Sequence, residues 1–113
     1  MSMLGKSLLL SLPVAFVLAM PSAQAQQGAA HTVTVKNHKF QPAQITVKAN
    51  APVSLRVRNQ DSSRMEFESS NPSVAKVIGG NGEATIKLKP LAPGKYEFYD
   101  DFNQQSTFVV IAR

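Results

Sequence analysis

Hydrophobic and polar residues alternate with a period of two along most of this chain. Val33 and Val35, for example, are flanked by threonine and lysine. The same alternation recurs over 45–48, 53–58, 84–89 and 96–99, and residues 107–112 form an apolar closing strand. Successive side chains of a strand point to opposite faces, so this pattern predicts strands that bury one face and expose the other. Segment 72–78 fits either a single helical turn or a short edge strand.

Turn-forming residues separate these runs at strand-length intervals. Asn, Asp, Gly, Pro and Ser cluster over 50–52, 59–63, 71–72, 79–82 and 90–94. Such clusters between alternating segments are typical of turns that connect strands. The chain is therefore predicted to be all-β, with seven or eight short strands in a Greek-key β-sandwich.

The N-terminal region has a different character. Lys6 precedes an apolar run over 8–20, and Ala23-Gln24-Ala25 follows it. A charge, an apolar run and a small-x-small motif in this order predict a cleavable signal peptide over 1–25. The apolar run has roughly 13 residues, whereas a membrane-spanning helix needs about 20. We therefore expect a flexible leader over 26–30, a domain over 31–113, and a soluble periplasmic protein without a membrane anchor.

Composition narrows the chemistry of the predicted domain. The 113 residues include 12 Lys and Arg, 7 Asp and Glu, and no Cys. The missing Cys excludes disulfides, thiolate zinc sites and a blue-copper centre, which needs a Cys thiolate. The net charge of +5 invites nucleic-acid binding, but the basic residues occupy outward strand positions without the interleaved aromatics of a nucleic-acid surface. We expect no nucleic-acid partner.

The acidic residues are distributed less evenly than the basic ones. Five of the seven lie in two short segments, 66–68 and 97–101. If successive strands alternate in direction, the turns over 37–40, 59–65 and 100–106 lie at one end of the sandwich. Carboxylate, imidazole and thioether donors would then meet there, as in a metal site. The predicted metal ligands are Met65, Glu66, Asp100, Asp101, His38 and Asn103.

Strand parity separates these donors into two groups. Met65 and Asp100 point inward, whereas Glu66, Glu68 and Glu97 point outward and form a possible second acidic cluster. Each residue also has a purely structural interpretation. The aspartates suit a turn, Met65 suits the core, and the glutamates suit cross-strand ion pairs with Lys or Arg.

Several motifs of the chain resemble those of one protein family. The segments NQDSSRMEFES (59–69) and PLAPGKYEFYDDF (90–102) are similar to bacterial cupredoxin-like proteins of ferrous-iron uptake systems. The segment KNHKFQP (36–42) fits the same group, and the resemblance extends over 31–112. In blue-copper cupredoxins, by this resemblance, Cys stands at the position of Asp100 and His at those of Met65 and Asn103. The resemblance thus implies a cupredoxin-like fold without type 1 copper.

The resemblance also implies a function. It is the handling of periplasmic iron, including oxidation of Fe(II) for an inner-membrane iron permease or another periplasmic iron-binding protein. Iron, copper or both would be the bound ions. Two alternatives stay open: a copper or iron delivery protein without turnover, and a docking module of a transporter that binds no metal.

Overall fold

The structure, a computed structural model, describes residues 29–113 together with Pro13. Apart from Pro13, the predicted signal peptide lies outside the described residues, and so do residues 26–28 of the predicted leader. Nine strands form the described part: β1 (Ala29–Lys36), β2 (Lys39–Gln41), β3 (Gln44–Val47), β4 (Val53–Asn59), β5 (Met65–Ser69), β6 (Val74–Ile78), β7 (Glu83–Leu88), β8 (Gly94–Asp100) and β9 (Asn103–Ala112).

The predicted all-β fold is confirmed, with nine strands instead of seven or eight. The additional strand is β2, whose three residues include a single apolar side chain, Phe40. A strand this short has no recognisable alternation. Segment 74–78 is an edge strand, not a helical turn. β1 begins at Ala29, inside the predicted leader, and β9 begins at Asn103, inside the predicted turn 100–106.

The strands form two sheets. The first sheet has the order β2-β1-β4-β7, and the second has the order β3-β9-β8-β5-β6. Most neighbours are antiparallel, but β1 pairs with β4 and β3 pairs with β9 in parallel. A parallel pair cannot be joined by a tight hairpin, so the chain must cross between the sheets. These crossings make the two sheets one sandwich around a shared core.

The core is built from the inward residues of both sheets. Phe67, Phe98 and Phe108 are fully buried, and the rings of Phe67 and Phe98 stack with centroids 5.0 Å apart. Phe40 adds a fourth ring, 5.7 Å from Phe108. Offset aromatic pairs at such distances contribute beyond their buried area. The rigid core therefore gives each outward side chain of β5 and β8 a defined position.

Three turns meet at one end of the sandwich, which we call the site end. The carboxylate of Asp61 accepts hydrogen bonds from the backbone N–H groups of Asn37 (2.6 Å) and His38 (2.9 Å). The hydroxyl of Ser106 donates to the carbonyl of His38. The backbone N–H of Asp101 donates to the carbonyl of Glu66 over 2.9 Å. The meeting of the three predicted segments at one end is therefore observed.

Candidate metal centre

Strand β5 divides the candidate ligands between the interior and the outer surface of the second sheet. Its burial alternates over five residues, with Met65, Phe67 and Ser69 buried and Glu66 and Glu68 half-buried. Met65 is 2% exposed and belongs to the apolar core. The inward and outward positions predicted from parity are those observed. The predicted role of Met65 as a metal ligand stays a prediction.

Asp100 lies on the inner side and organises the backbone around it. Its side chain is 1% exposed, and Oδ1 accepts hydrogen bonds from the N–H groups of Glu66 (2.9 Å) and Phe102 (3.0 Å). A buried carboxylate needs such donors because water cannot solvate it. Asp100 thus joins the start of β5 to the turn after β8. Its predicted role as a ligand also stays a prediction.

A register shift between Tyr99 and Asp100 changes the direction of the chain at the end of β8. Bulges of this kind re-aim the side chains that follow them. Just beyond the shift, Asp101 lies beside Glu66, to whose carbonyl its N–H donates. Asp101 is therefore placed with the outward glutamates and not with Asp100.

The outer surface carries a compact group of three carboxylates, which we call the acidic cluster: Glu66, Glu68 and Asp101. One carboxylate oxygen from each lies within 4.8 Å of the other two, and all three residues are half-buried. Val77, the cross-strand neighbour of Glu66, presents an apolar side chain beside them. Three anionic oxygens this close repel one another, and a cation between them would relieve the repulsion.

Glu68 is the member of the acidic cluster whose carboxylate has a buried oxygen without a hydrogen-bond partner in the part of the chain that the structure describes. Its Oε2 is buried, and no hydrogen-bond donor reaches it from the described residues. Hydrogen bonding with the Glu66 carboxyl raises the pKa of Glu68, and burial and the charges of Asp101 and Glu66 raise it further. A hydrogen bond between two carboxyl groups would require a proton on one of them. In the absence of a cation, a shared proton is the alternative means of neutralising the pair.

Tyr99 borders the acidic cluster as the cross-strand neighbour of Glu68. Burial raises the pKa of the Tyr99 hydroxyl, and the negative charges of Glu68, Asp101 and Glu66 raise it further. The phenol therefore stays protonated and can donate a hydrogen bond toward the carboxylates. Tyr99 has the same strand parity as Glu97, and this parity is the sequence signal that places both side chains on the outer face of the second sheet.

The remaining predicted site residues lie outside this group. Glu97 is exposed and lines a separate cavity of about 240 Å³ that also includes Tyr99. His38 and Asn103 line a polar cavity of about 530 Å³ at the site end. Within residues 29–113, neither Glu97 nor His38 belongs to a set of three close metal-ligating groups. The six predicted ligands are thus brought to one end but not to one point.

Asp61 is an organising residue that the sequence analysis counted only as part of a turn. The two-residue loop between β1 and β2, Asn37 and His38, has φ angles of 52° and 60°. Two positive φ angles define the type I′ hairpin turn, which is unfavourable for a histidine. The Asp61 carboxylate binds both N–H groups of this turn, and its Oδ2 lies 3.9 Å from His38 Nδ1. These N–H groups, that of His38 most of all, lower the pKa of Asp61.

Type 1 copper does not fit this site. The centre needs a thiolate, and the sequence contains no Cys. The resemblance places the thiolate at Asp100, whose Oδ1 is already engaged by two backbone donors. The acidic cluster is the only set of three closely spaced His, Cys, Asp or Glu donors among the described residues, and all three donors are hard oxygens.

Comparisons with known proteins agree with this architecture. The family model described as Cupredoxin-like domain matches residues 8–112. An uncharacterized protein of Rickettsia prowazekii (strain Madrid E) is 35% identical over 81 residues, which cover 70% of this chain and 65% of the relative. The match thus spans slightly less than two thirds of that relative's length.

Solved structures with the same fold are more distant in sequence. The metal binding domain of the Streptococcus pneumoniae D39 Cu(I) exporting P-type ATPase CopA, solved with Cu(I), has a TM-score of 0.70 at 17% identity, covering 76% of this chain and 87% of that domain. Reduced auracyanin from Roseiflexus castenholzii has a TM-score of 0.62 at 15% identity, covering 75% and 96%. At these identities the likeness shows the fold alone. No helix in the part of the chain that the structure describes has the length and apolar character of a membrane span.

Proposed function

Because this chain belongs to the cupredoxin-like domain family, whose model matches residues 8–112, we propose that it binds iron through the acidic cluster and supports iron uptake outside the cytoplasm. The fold is of a metal-binding type. The observation that carries the proposal is the approach of three carboxylate oxygens to within 4.8 Å of one another around the buried, unpartnered Oε2 of Glu68.

The donor set supports a hard cation. Glu66, Glu68 and Asp101 offer only carboxylate oxygens, and these favour hard ions over Cu(I), which prefers thiolate and thioether ligands. Two of the donors lie on β5, and the third directly follows β8, its neighbour in the sheet. Because rigid strands hold the donors close before the ion arrives, little ordering is needed on binding. Water can complete the coordination on the exposed side.

Iron is the proposed cargo, and its oxidation is the proposed reaction. Anionic oxygen donors stabilise Fe(III) more than Fe(II), so a site of this kind lowers the reduction potential of bound iron. In the proposed reaction, four Fe(II) ions each transfer one electron to dioxygen, which takes up four protons and forms two water molecules. Tyr99, as a hydrogen-bond donor at the edge of the cluster, would help to hold one carboxylate in place.

The cellular setting of the proposal rests on the sequence. The predicted signal peptide over 1–25 supports a periplasmic location, and the resemblance supports an inner-membrane iron permease or another periplasmic iron-binding protein as the recipient. Copper stays a second candidate ion because the structural neighbours include a domain solved with Cu(I). Met65 would be its thioether ligand. Delivery of copper or iron without turnover, or docking to a transporter without metal, are the competing functions.

Metal titration with a matched pair of variants tests the binding step. Glu68→Gln removes one charge from the acidic cluster, whereas Glu97→Gln removes one charge from the same sheet outside the cluster. We expect the unmodified protein and Glu97→Gln to bind Fe(II) equally under anaerobic calorimetry. Glu68→Gln should bind at least about tenfold more weakly, because it loses one anionic ligand. Equal binding by all three proteins would refute the acidic cluster as the site.

Aerobic assays then separate oxidation from delivery. Fe(II) consumption is followed with and without added Cu(II), for the unmodified protein and both variants. Consumption without copper that falls in Glu68→Gln and not in Glu97→Gln supports oxidation at the acidic cluster. Consumption that requires Cu(II) assigns the electron acceptor to copper. Binding without faster consumption under either condition identifies a delivery protein, and the absence of binding by any metal leaves the docking module.

A further inference from the structure

The outer face of the first sheet is strongly basic, and we call it the basic face. Strand registry places its positive residues side by side, with Lys36 opposite Lys39 and with Arg56 and Arg58 two residues apart on β4. Lys87 completes the set on β7. All five side chains are exposed. The alternation along the sequence predicts outward basic positions on several strands, and the sheet order places five of them on one surface.

Glu83 is the carboxylate that pairs with the arginines of this face, and the Asp61 carboxylate acts on Lys36 from the neighbouring turn. Glu83 receives two hydrogen bonds from Arg56, at 2.7 and 3.2 Å, and lies 3.5 Å from Arg58 Nε. The pKa of Glu83 is lowered, mainly by the hydrogen bonds from Arg56 and further by the charges of both guanidinium groups. Five cations against these two carboxylates leave the basic face with an excess of three positive charges. Glu83 thus contacts both arginines but cannot neutralise the whole set.

The side chains between the cations are small and polar. The described strands contribute Ala30, Thr32, Thr34, Gln41, Ser54 and Thr85 to this face. It thus carries no aromatic ring and no apolar side chain larger than alanine. Interfaces between proteins have apolar, aromatic-rich centres, and single-stranded nucleic acids need stacking platforms. A surface without either suits a partner that supplies negative charge alone and rearranges to meet it.

We propose that the basic face docks reversibly onto an anionic lipid bilayer. Lipid headgroups move laterally and can gather beneath fixed cations, so neither an apolar anchor nor a shaped pocket is required. Docking of this kind is peripheral and salt-sensitive, which distinguishes it from membrane anchoring. The opposite face of the sandwich carries Glu66, Glu68, Glu97 and Asp101. Lys48 and Lys95 reduce the negative charge of that face but leave it net acidic, so a bilayer that attracts the basic face would not attract the opposite face, and this sets the orientation of the bound domain.

This orientation leaves the acidic cluster facing away from the bilayer. The two sheets are about 10 Å apart and back to back, so the cluster would stay open to cations while the protein is held at the membrane. The docking surface and the acidic cluster share no residue. Failure of one proposal can therefore be told from failure of the other.

Vesicle co-sedimentation tests the proposal with protein recovered after export, its N-terminus first read by mass spectrometry. The vesicles contain phosphatidylcholine, either alone or with about 30% phosphatidylglycerol, and the salt concentration is about 20 or 500 mM. The triple variant K36Q/K39Q/K87Q removes three charges from the basic face. The control K48Q/K76Q/K95Q removes three exposed lysines on or directly after strands of the second sheet. Near-ultraviolet circular dichroism checks that both variants are folded.

We expect binding that requires phosphatidylglycerol and disappears at high salt. Each lysine near an anionic surface contributes about a fivefold gain in partitioning, so the basic-face variant should bind about 100-fold more weakly. The control variant should lose less than about a third as much binding free energy as the basic-face variant, because its lysines lie away from the proposed contact. Equal losses in both variants, or equal binding to neutral vesicles, would overturn the assignment. So would salt-sensitive self-association in sedimentation velocity without vesicle binding, which would identify a second copy as the partner.

Discussion

The hydrogen bonds of Asp61 make the clearest quantitative prediction for the site end. Its two carboxylate oxygens accept the N–H groups of Asn37 and His38 at 2.6 and 2.9 Å. A hydrogen bond to a charged group contributes about 1.5–3 kcal/mol, and the lower figure applies here because water can reach the turn. We therefore expect Asp61→Ala to lower the free energy of unfolding by about 3 kcal/mol. For a domain of this size, that corresponds to a fall in Tm of roughly 12–24 °C.

The pH dependence of this loss has a definite sign. The turn N–H groups hold the pKa of Asp61 below its ordinary value, which is about 3.9 in the unfolded chain. A lowered native pKa gives stability that is complete above the unfolded pKa and is lost as the pH falls through the native pKa. The difference in unfolding free energy between the unmodified protein and Asp61→Ala should be constant from about pH 5 to 7 and shrink below about pH 4.

Urea unfolding at a series of pH values measures both quantities. Asp61→Asn is the matched control, since its amide oxygen can accept one N–H but carries no charge. We expect it to lose about half as much stability as Asp61→Ala, without the acid-dependent decrease. A change below about 0.5 kcal/mol for Asp61→Ala, as at an ordinary surface position, would refute the reasoning. So would a loss that stays the same down to the lowest pH at which the protein folds.

Three further predictions concern the core and the candidate metal centre. Phe67→Ala should cost about 3–5 kcal/mol in urea unfolding, because a fully buried ring is lost. Asp100→Ala should cost about 3–6 kcal/mol, because the N–H groups of Glu66 and Phe102 lose a buried acceptor. Asp100→Asn should retain most of this stability, and an equal loss in both variants would contradict the hydrogen-bonding role. Glu68→Gln should raise the Tm of the metal-free protein in calorimetry by relieving carboxylate repulsion, and an added cation should then raise its Tm less than that of the unmodified protein.

The local pattern of apolar and polar residues predicts which strand side chains face the core and which face the solvent. The inward position of Met65 and the outward positions of Glu66 and Glu68 are those that the alternation implies. The period of two is a property of neighbouring residues, so no knowledge of distant segments is required. Strand β2 was not predicted, because three residues with one apolar side chain do not establish a period.

Several features of the candidate site depend on contacts between distant segments. Asp61 is separated from His38 by 23 positions, and Asn59–Ser63 has the composition of an ordinary turn. The register shift before Asp100 places Asp101 beside Glu66. Neither feature leaves a local signal, because a bulge and a turn-binding carboxylate are defined by the partner strand.

The residue pattern is enough to predict an all-β chain, the parity of its strands and the absence of a thiolate for type 1 copper. It also indicated that three turns would meet at one end of the sandwich, because alternation and turn residues are locally encoded. The clustering of three of the eight predicted donors and the gathering of five basic residues on one face follow from contacts between distant segments. Those groupings arise from sheet order and registry, and both are set by burial of the shared core between segments far apart in the chain.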